Sequence, residues 1–281
     1  MKYILITGVS TGIGQGILKE LVKAGYFVFG TVRNQKDAQR VQAEVNSDLF
    51  LPVLADVTDE KSVKAAFKTI QKKIGKDHLF ALINNAGILT GGPMVHLNLD
   101  QYRQVMEVNF FGTVRMIQTF IPLMPHKPKH NEHAARIINI SSVLGHYGLP
   151  YTSTYTASKF AVEGFSDSVR RELEKLHIKV VVLIPGAVKT LIFRKGAKED
   201  DYDYAKNTVY EHTGKNFRKE MLKLEEHGIT TDVVGKKVLQ ILKSANPKPR
   251  YHITGSPMME WYGPKYLPDR FLDVILKKLY S

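Results

Sequence analysis

Short apolar runs and amphipathic stretches alternate along this chain from its first residues. The apolar runs predict strands at 2–7, 26–32, 50–55, 79–84, 136–141, 178–184 and 250–254. The segments YILIT, ALIN, RIINI and KVVVLI are short, rich in β-branched residues and nearly free of charge. Strands covered on both faces read this way. Between them, helical patterns fall at 12–24, 35–46, 59–74, 99–121 and 153–176. Beyond residue 190 the rhythm loosens, with helices predicted at 212–227, 231–244 and 268–280. Alternating strands and helices argue for an α/β fold, a parallel sheet with helices on both faces. Ligands of such sheets sit beyond the carboxyl ends of the strands. The residues just after each strand therefore matter most.

Composition narrows the classes. The 281 residues are 43% hydrophobic, enough for one sizeable core, and neither a flexible linker nor an internal repeat interrupts them. One domain over 1–281 is expected. The absence of cysteine excludes disulfides, zinc–thiolate sites and a thiol nucleophile, and fits a reducing compartment. The N-terminus MKYILITGVSTGIG opens on a strand-like run without a secretory leader, so a cytoplasmic protein is expected. No run approaches the roughly 18 apolar residues of a membrane span. The net charge of +13 suits an anionic partner or simply a solvated basic surface. The charges are interspersed and no nucleic-acid-binding motif accompanies them, so no nucleic acid is expected.

The first strand runs into Thr7-Gly8-Val9-Ser10-Thr11-Gly12-Ile13-Gly14, followed at once by a helical pattern. Glycines let a backbone turn tightly against a phosphate, and the helix N-terminus offers free N–H groups. The spacing is G-x-x-x-G-x-G, not the common G-x-G-x-x-G dinucleotide fingerprint. An ordinary tight turn would carry similar glycines. The second strand ends in Gly30-Thr31-Val32-Arg33-Asn34, with no acid to hold a ribose 2′-hydroxyl and Arg33 close by for a 2′-phosphate. With Ser10 as a further donor, this favours NADP(H) over NAD(H). The alternative makes Arg33 a solvated loop charge.

The fifth strand ends in Ile140-Ser141-Ser142, and Tyr155-Thr156-Ala157-Ser158-Lys159 follows. Tyr155 and Lys159, four apart, share one helix face, where Ser142 at a strand end meets them. Carbonyl reduction needs a hydride on carbon and a proton on oxygen. A phenol with an ordinary pKa of about 10 costs roughly 4 kcal/mol to ionise at neutral pH. A nearby cation lowers an acid's pKa by about one to three. Lys159 and an oxidised nicotinamide each supply such a charge, and Tyr155 then serves as acid or base. Ser142 would hold the substrate oxygen. A lone Tyr-x-x-x-Lys arises often by chance.

Taken together, the chain resembles the main branch of the short-chain dehydrogenases/reductases. Its motifs appear in that family's order: the glycine turn at 8–14, Asp56-Val57, Asn84-Asn85-Ala86-Gly87, Asn109, the trio Ser142, Tyr155 and Lys159, and Pro185-Gly186-Ala187-Val188-Lys189-Thr190. The resemblance covers roughly 2–192. It implies a Rossmann-type doubly wound parallel sheet of about seven strands, order 3-2-1-4-5-6-7. Residues 1–190 would form the cofactor-binding and catalytic core, and 191–281 a substrate-covering segment, last strand and C-terminal helix. The resemblance also implies roles. Gly8, Ser10, Thr11, Gly12, Ile13 and Gly14 would cradle the phosphates. Asp56 would bind the adenine amino group beside Val57, and Asn85, Ala86 and Gly87 would line the adenosine and ribose path. The Asn109 backbone would hold a water linking Lys159 to solvent, and Lys159 would bond the nicotinamide ribose. Pro185, Gly186, Val188 and Thr190 would cover the nicotinamide. A homodimer or homotetramer through helices 99–121 and 153–176 is implied as well.

Within the family, GTVRN and PRYHITG…LPDRFL resemble the retinol and hydroxysteroid dehydrogenase group, pointing to a lipophilic alcohol or carbonyl substrate. Tyr147, Leu149 and Tyr151 are placed to wall its pocket. Leu191, Ile192, Phe193, Tyr202, Tyr204 and Tyr210 would close over it or form a surface excursion. A 3-oxoacyl-carrier-protein reductase and a catalytically silent nucleotide-binding regulator are the alternatives. The long helical tail is unexpected in the first, and the complete Ser142–Tyr155–Lys159 set in the second. In that tail Phe271, Leu272, Ile275, Leu276 and Leu279 are predicted to share one face, for core or subunit packing or as a peripheral membrane foot. His126, His130 and His133 lie among prolines and lysines that argue for an exposed loop, and no metal is expected.

Overall fold

A computed structural model describes residues 1–125, 134–196 and 206–280. His126, His130, His133, Tyr202 and Tyr204 lie outside the described residues. In chain order the elements are β1 (Tyr3–Ile6), α1 (Gly12–Lys23), β2 (Phe27–Val32), α2 (Gln35–Val45), β3 (Phe50–Leu54), α3 (Glu60–Ile74), β4 (Leu79–Asn84), α4 (Leu99–Met106), α5 (Gly112–Phe120), β5 (Arg136–Ile140), α6 (Ser153–Leu173), β6 (Lys179–Pro185), α7 (Ile192–Gly196), α8 (Glu211–His227), α9 (Thr231–Lys243), β7 (Arg250–Ile253), α10 (Gly263–Tyr266) and α11 (Asp269–Tyr280).

The seven strands form one parallel sheet in the order β3-β2-β1-β4-β5-β6-β7, with Leu5 of β1 paired to Phe29 of β2 and Leu82 of β4. The nearly uncharged runs become strands because both faces are covered: every residue of β2, β4 and β5 is buried. One face packs Ile4, Ile6 and Val28 against Ile17, Leu18 and Leu21 of α1 and Val234, Val238 and Ile241 of α9. The other packs Leu5, Phe29 and Leu82 against Val63 and Ile70 of α3, Met116 and Phe120 of α5, and Val169 of α6. This is the Rossmann-type architecture. Connections leave β1 toward β2 and return at β4, so the strand order reverses between them and opens a crevice at their carboxyl ends.

Three departures from the predicted elements bear on function. The predicted helix 99–121 divides into α4, a wide π-type turn at Glu107–Phe111, and α5. Such a turn inserts one residue into a helix, often at a functional site, and here it holds Asn109, 1% exposed. The helix predicted over 153–176 stops at Leu173, passes through a tight turn at Glu174–Leu176 and ends on left-handed His177. In α11 the predicted single apolar face divides in two. Leu272 and Leu276 are half-buried and Tyr280 buried, a row four residues apart facing the protein. Phe271, Ile275 and Leu279 instead face solvent, 67%, 51% and 51% exposed. At 100° per residue both rows are apolar, and only one reaches α8.

Candidate active site

The turn after β1 is built by its glycines. Gly8 and Gly12 adopt φ of +70° and +64°, left-handed conformations that favour glycine. A methyl on Gly14 would collide with the Gly8 carbonyl and crowd the Asn85 amide, so Gly14 serves close packing beneath the turn. Thr11 makes no capping bond with its side chain and the first turn of α1 carries no acid, which leaves that helix end open to an anion. The turn is held from outside by Arg40 of α2, whose Nη2 donates to the Ser10 carbonyl at 2.8 Å and to Asp37 Oδ1 at 2.9 Å. Arg33, at the end of β2, is exposed and lines the same crevice.

Further along the cleft, Asp56 accepts with Oδ1 from the Thr58 N–H (2.9 Å) and hydroxyl (2.7 Å). Val57 is buried against Gly112. Asn85 is mainly a brace, since its Nδ2 donates to the carbonyls of Thr7 (2.9 Å) and Gly8 (3.0 Å). Asn109 Oδ1 accepts from Ile88 N at 2.8 Å, while Nδ2 donates to Ile88 O and Ser158 Oγ, both at 2.9 Å. Its side chain thus ties the segment after β4 to α6, and its carbonyl accepts from Thr113 Oγ1 at 2.9 Å.

Ser142 leaves β5 in an extended conformation and accepts from Leu144 N at 3.2 Å. Tyr155 and Lys159 are 9% and 5% exposed on the inner face of α6. Lys159 Nζ donates to Ile140 O at 2.8 Å and stands 5.4 Å from the centre of the Tyr155 ring. The sequence leads one to expect a phenol acidified by Lys159. In the chain alone, burial pushes Tyr155 up to about 12, against a hydrogen bond with Ser142 that lowers it. The same burial lowers Lys159 to about 8, opposed by the Glu163 carboxylate. A dry pocket penalises both charged forms.

These residues converge on one cleft of about 740 Å³. It gathers Gly8, Ser10, Thr11, Gly12, Ile13, Arg33, Asp56, Val57, Asn85, Ala86, Gly87, Ser142, Tyr147, Leu149, Tyr155, Lys159, Pro185, Gly186, Val188 and Thr190. Of the predicted site residues, Gly14 and Asn109 lie just behind its wall. At the inner end Tyr155 packs into an apolar cluster with Leu89, Leu149, Phe193, Phe217, Met221 and Tyr280. Two carboxylates absent from the sequence reading shape the segment after β6. Glu260 Oε2 accepts from Ala187 N at 2.6 Å, and the carboxylate leaves no room for a methyl on Gly186. The buried Glu225 accepts from Thr190 Oγ1 (3.2 Å) and, at the start of α7, from Phe193 N (3.0 Å). Tyr147 donates to Glu260 O at 3.1 Å, and burial pushes its phenol far up.

A crevice with an open helix end, glycines at close approach and an exposed guanidinium on its wall fits a nicotinamide dinucleotide. The short chain dehydrogenase family profile matches residues 2–201. The NADPH-dependent 3-dehydrocapnine reductase of Ornithobacterium rhinotracheale is 34% identical over 278 residues, which cover 99% of this chain and 97% of that protein. Estradiol 17-beta-dehydrogenase 2 of Mus musculus is 30% identical over 99% of this chain and 74% of its own length. A short-chain dehydrogenase/reductase from Burkholderia phymatum, in complex with NAD, has the same fold with a TM-score of 0.79 at 20% identity, covering 98% of this chain and 95% of that one. The chain belongs to the short-chain dehydrogenase/reductase family. It is an NAD(P)-dependent oxidoreductase acting on CH–OH groups.

Proposed function

We propose that the chain interconverts a primary or secondary alcohol and its carbonyl on a lipophilic substrate, steroid-, retinoid- or lipid-like, with NADP(H) and with Tyr155 as general acid and base. The observation that carries this reading is the Tyr155–Lys159 row facing Ser142 in a cleft whose inner end is apolar. Bound nicotinamide supplies the hydride and, when oxidised, a positive ring. The chain does the rest. Ser142 Oγ holds the substrate oxygen beside the phenol. In reduction the Tyr155 hydroxyl gives its proton to that oxygen; in oxidation the phenolate takes it back. The Lys159 ammonium favours the phenolate, and its proton would exchange with solvent through a water held by the Asn109 carbonyl. Burial, only partly offset by the Ser142 hydrogen bond, holds Tyr155 near 12, so the phenolate would need both the Lys159 ammonium and the oxidised cofactor's positive charge.

Arg33 and Ser10 would hold the 2′-phosphate, the α1 N-terminus the pyrophosphate, and the second oxygen of Asp56 the adenine amino group. Val188 and Thr190 would hold the carboxamide. The relative from Ornithobacterium rhinotracheale, named as NADPH-dependent, supports this preference. Leu149, Phe193 and Met221 suit an apolar substrate. A homo-oligomer contact falls on the helical stretch 99–121 and on α6, where Phe111 of the π-type turn and Phe160 are 47% and 46% exposed. The solvent-facing row of α11 rests on a membrane surface on the cytoplasmic side.

Tyr155→Phe tests the chemistry. NADPH affinity, followed by fluorescence, is expected to persist. Reduction of retinal or estrone is expected to fall by about a hundred- to ten-thousand-fold. Equal turnover in wild type and variant overturns the assignment.

A further inference from the structure

Tyr155, Lys159, Glu163 and Asp167 stand at four-residue steps along α6 and so form a single row. The first two belong to the active site. The third is a carboxylate only 5% exposed. Glu163 Oε2 accepts from Arg250 Nε of β7 at 3.0 Å, and Oε1 lies 3.3 Å from His146 Nε2. Arg250 is shared, because its other nitrogens reach Asp167 at 3.0 and 2.9 Å. His146 ends the tight turn that starts at Ser142, and its ring meets Trp261 edge-on at 4.7 Å. That turn is sealed against the same carboxylate. A methyl on Gly145 would lie 2.9 Å from Ser141 Oγ, 3.1 Å from Glu163 Cγ and 3.2 Å from Lys159 O.

A buried carboxylate needs compensation, and a buried ammonium one turn away needs it too. We propose that Glu163 is a positioning residue that acts through Lys159: it is the internal counter-charge that keeps the Lys159 ammonium charged in a dry site, while its ties to His146 and Arg250 fix the turn carrying Ser142. This rests on the oxidoreductase reading above.

The electrostatics agree in sign. Burial drives Glu163 up, yet the nearby His146 and Ser141 and the hydrogen bond from Arg250 outweigh it and hold the carboxyl below its ordinary range, so it stays charged. Burial lowers Lys159 to about 8, and Glu163 opposes that fall. Without the carboxylate the Lys159 proton is lost at still lower pH. The other charges near Glu163 are Arg250 and His252 from β7, Asp167 one turn along α6, itself paired with Arg250 and Arg170, and His146 from the turn. Arg250 is the competitor: each share of Glu163 given to the guanidinium is withheld from Lys159.

The test follows the Lys159 proton. Lysine labelled at Cε is titrated by NMR in the full chain, with the Lys159 signal identified by its absence in Lys159→Met. In Glu163→Gln the titration is expected to move down by about one pH unit. The loss in NADPH-dependent reduction of retinal is then expected to be about five-fold larger near pH 8 than near pH 6. Glu163→Asp, which keeps the charge, is expected to recover most of the titration. A folded Glu163→Gln whose Lys159 titrates as in wild type overturns the proposal. If that variant does not fold, Arg250→Gln decides: freeing the carboxylate moves Lys159 upward, and no movement overturns the proposal. The NMR readout needs no substrate, so it can fail while Tyr155→Phe still supports the oxidoreductase reading, and the reverse.

Discussion

Burial acts on Tyr155 and Lys159 in the same electrical sense, toward neutrality, although it raises one and lowers the other. On its own Tyr155 therefore stays a neutral phenol, while Lys159, at about 8, keeps most of its proton at neutral pH, and a further positive charge would enter with the oxidised cofactor. A similar economy governs Arg33. Its neighbour Asp37 is engaged by Arg40 at 2.9 Å and by Asn34 Nδ2 at 3.0 Å, and the Arg40 bond is the main reason its carboxyl is held low. Arg33 thus faces the cleft without an acid pledged to it by hydrogen bond. A charge-assisted bond to a 2′-phosphate contributes about 1.5–3 kcal/mol, and solvent exposure places this one at the low end. Arg33→Ala is expected to weaken NADPH by about ten-fold while leaving NADH nearly unchanged. Fluorescence titration with both nucleotides checks it, and equal losses would remove Arg33 from the phosphate site.

Elements were legible where a period announces them. The strands are short apolar runs with at most a single charge at their first residue and the long helices carry a 3.6-residue apolar pattern, so both could be read without tertiary information. The π-type turn at Glu107–Phe111 could not, because one inserted residue leaves the apolar spacing on either side intact. Tyr155, Lys159 and Ser142 were legible because they stand close in sequence. Arg40, Glu225 and Glu260 act on Ser10, Thr190 and Ala187 across 30, 35 and 73 residues, and no local spacing reports such contacts. The crossing of α1 and α9 is of the same kind. A methyl on Gly16 would lie 2.5 Å from Thr231 O, and one on Gly235 2.7 Å from Gly16 O. Backbone, not a movable side chain, opposes the methyl. Gly16→Ala is expected to cost about 1–3 kcal/mol of unfolding free energy, read by urea denaturation. It should also weaken NADPH binding, because displacing α1 displaces the helix end that faces the pyrophosphate. A Gly16→Ala chain with unchanged stability would show that the two helices slide freely.

At the scale of the molecule, apolar surface and positive charge meet at the C-terminal end. Met258, Met259, Tyr266, Phe271 and Val274 are 70%, 77%, 68%, 67% and 67% exposed. Lys265, Arg270, Lys277 and Lys278 are interspersed with them, against Asp269 and Asp273. Among the described residues no helix is long and apolar enough to cross a membrane. On the reading proposed above, this surface would serve as a shallow membrane foot. Its other side is structural, since Leu276 and Tyr280 of the same helix pack into the cluster that holds Tyr155. A bilayer against α11 would therefore sit one helix away from the inner end of the cleft, where a lipophilic substrate would arrive from the membrane. Burying apolar side chains of this size contributes about 1.5–3 kcal/mol each, and basic residues near an anionic surface about 1 kcal/mol each. The full chain is expected to sediment with vesicles rich in phosphatidylserine, less with phosphatidylcholine alone, and less again at high salt. Phe271→Asp with Val274→Asp should abolish sedimentation while sparing NADPH binding. Failure of wild type to sediment would hand this face to a second copy of the chain, which sedimentation velocity would then detect as a dimer lost in the same double variant.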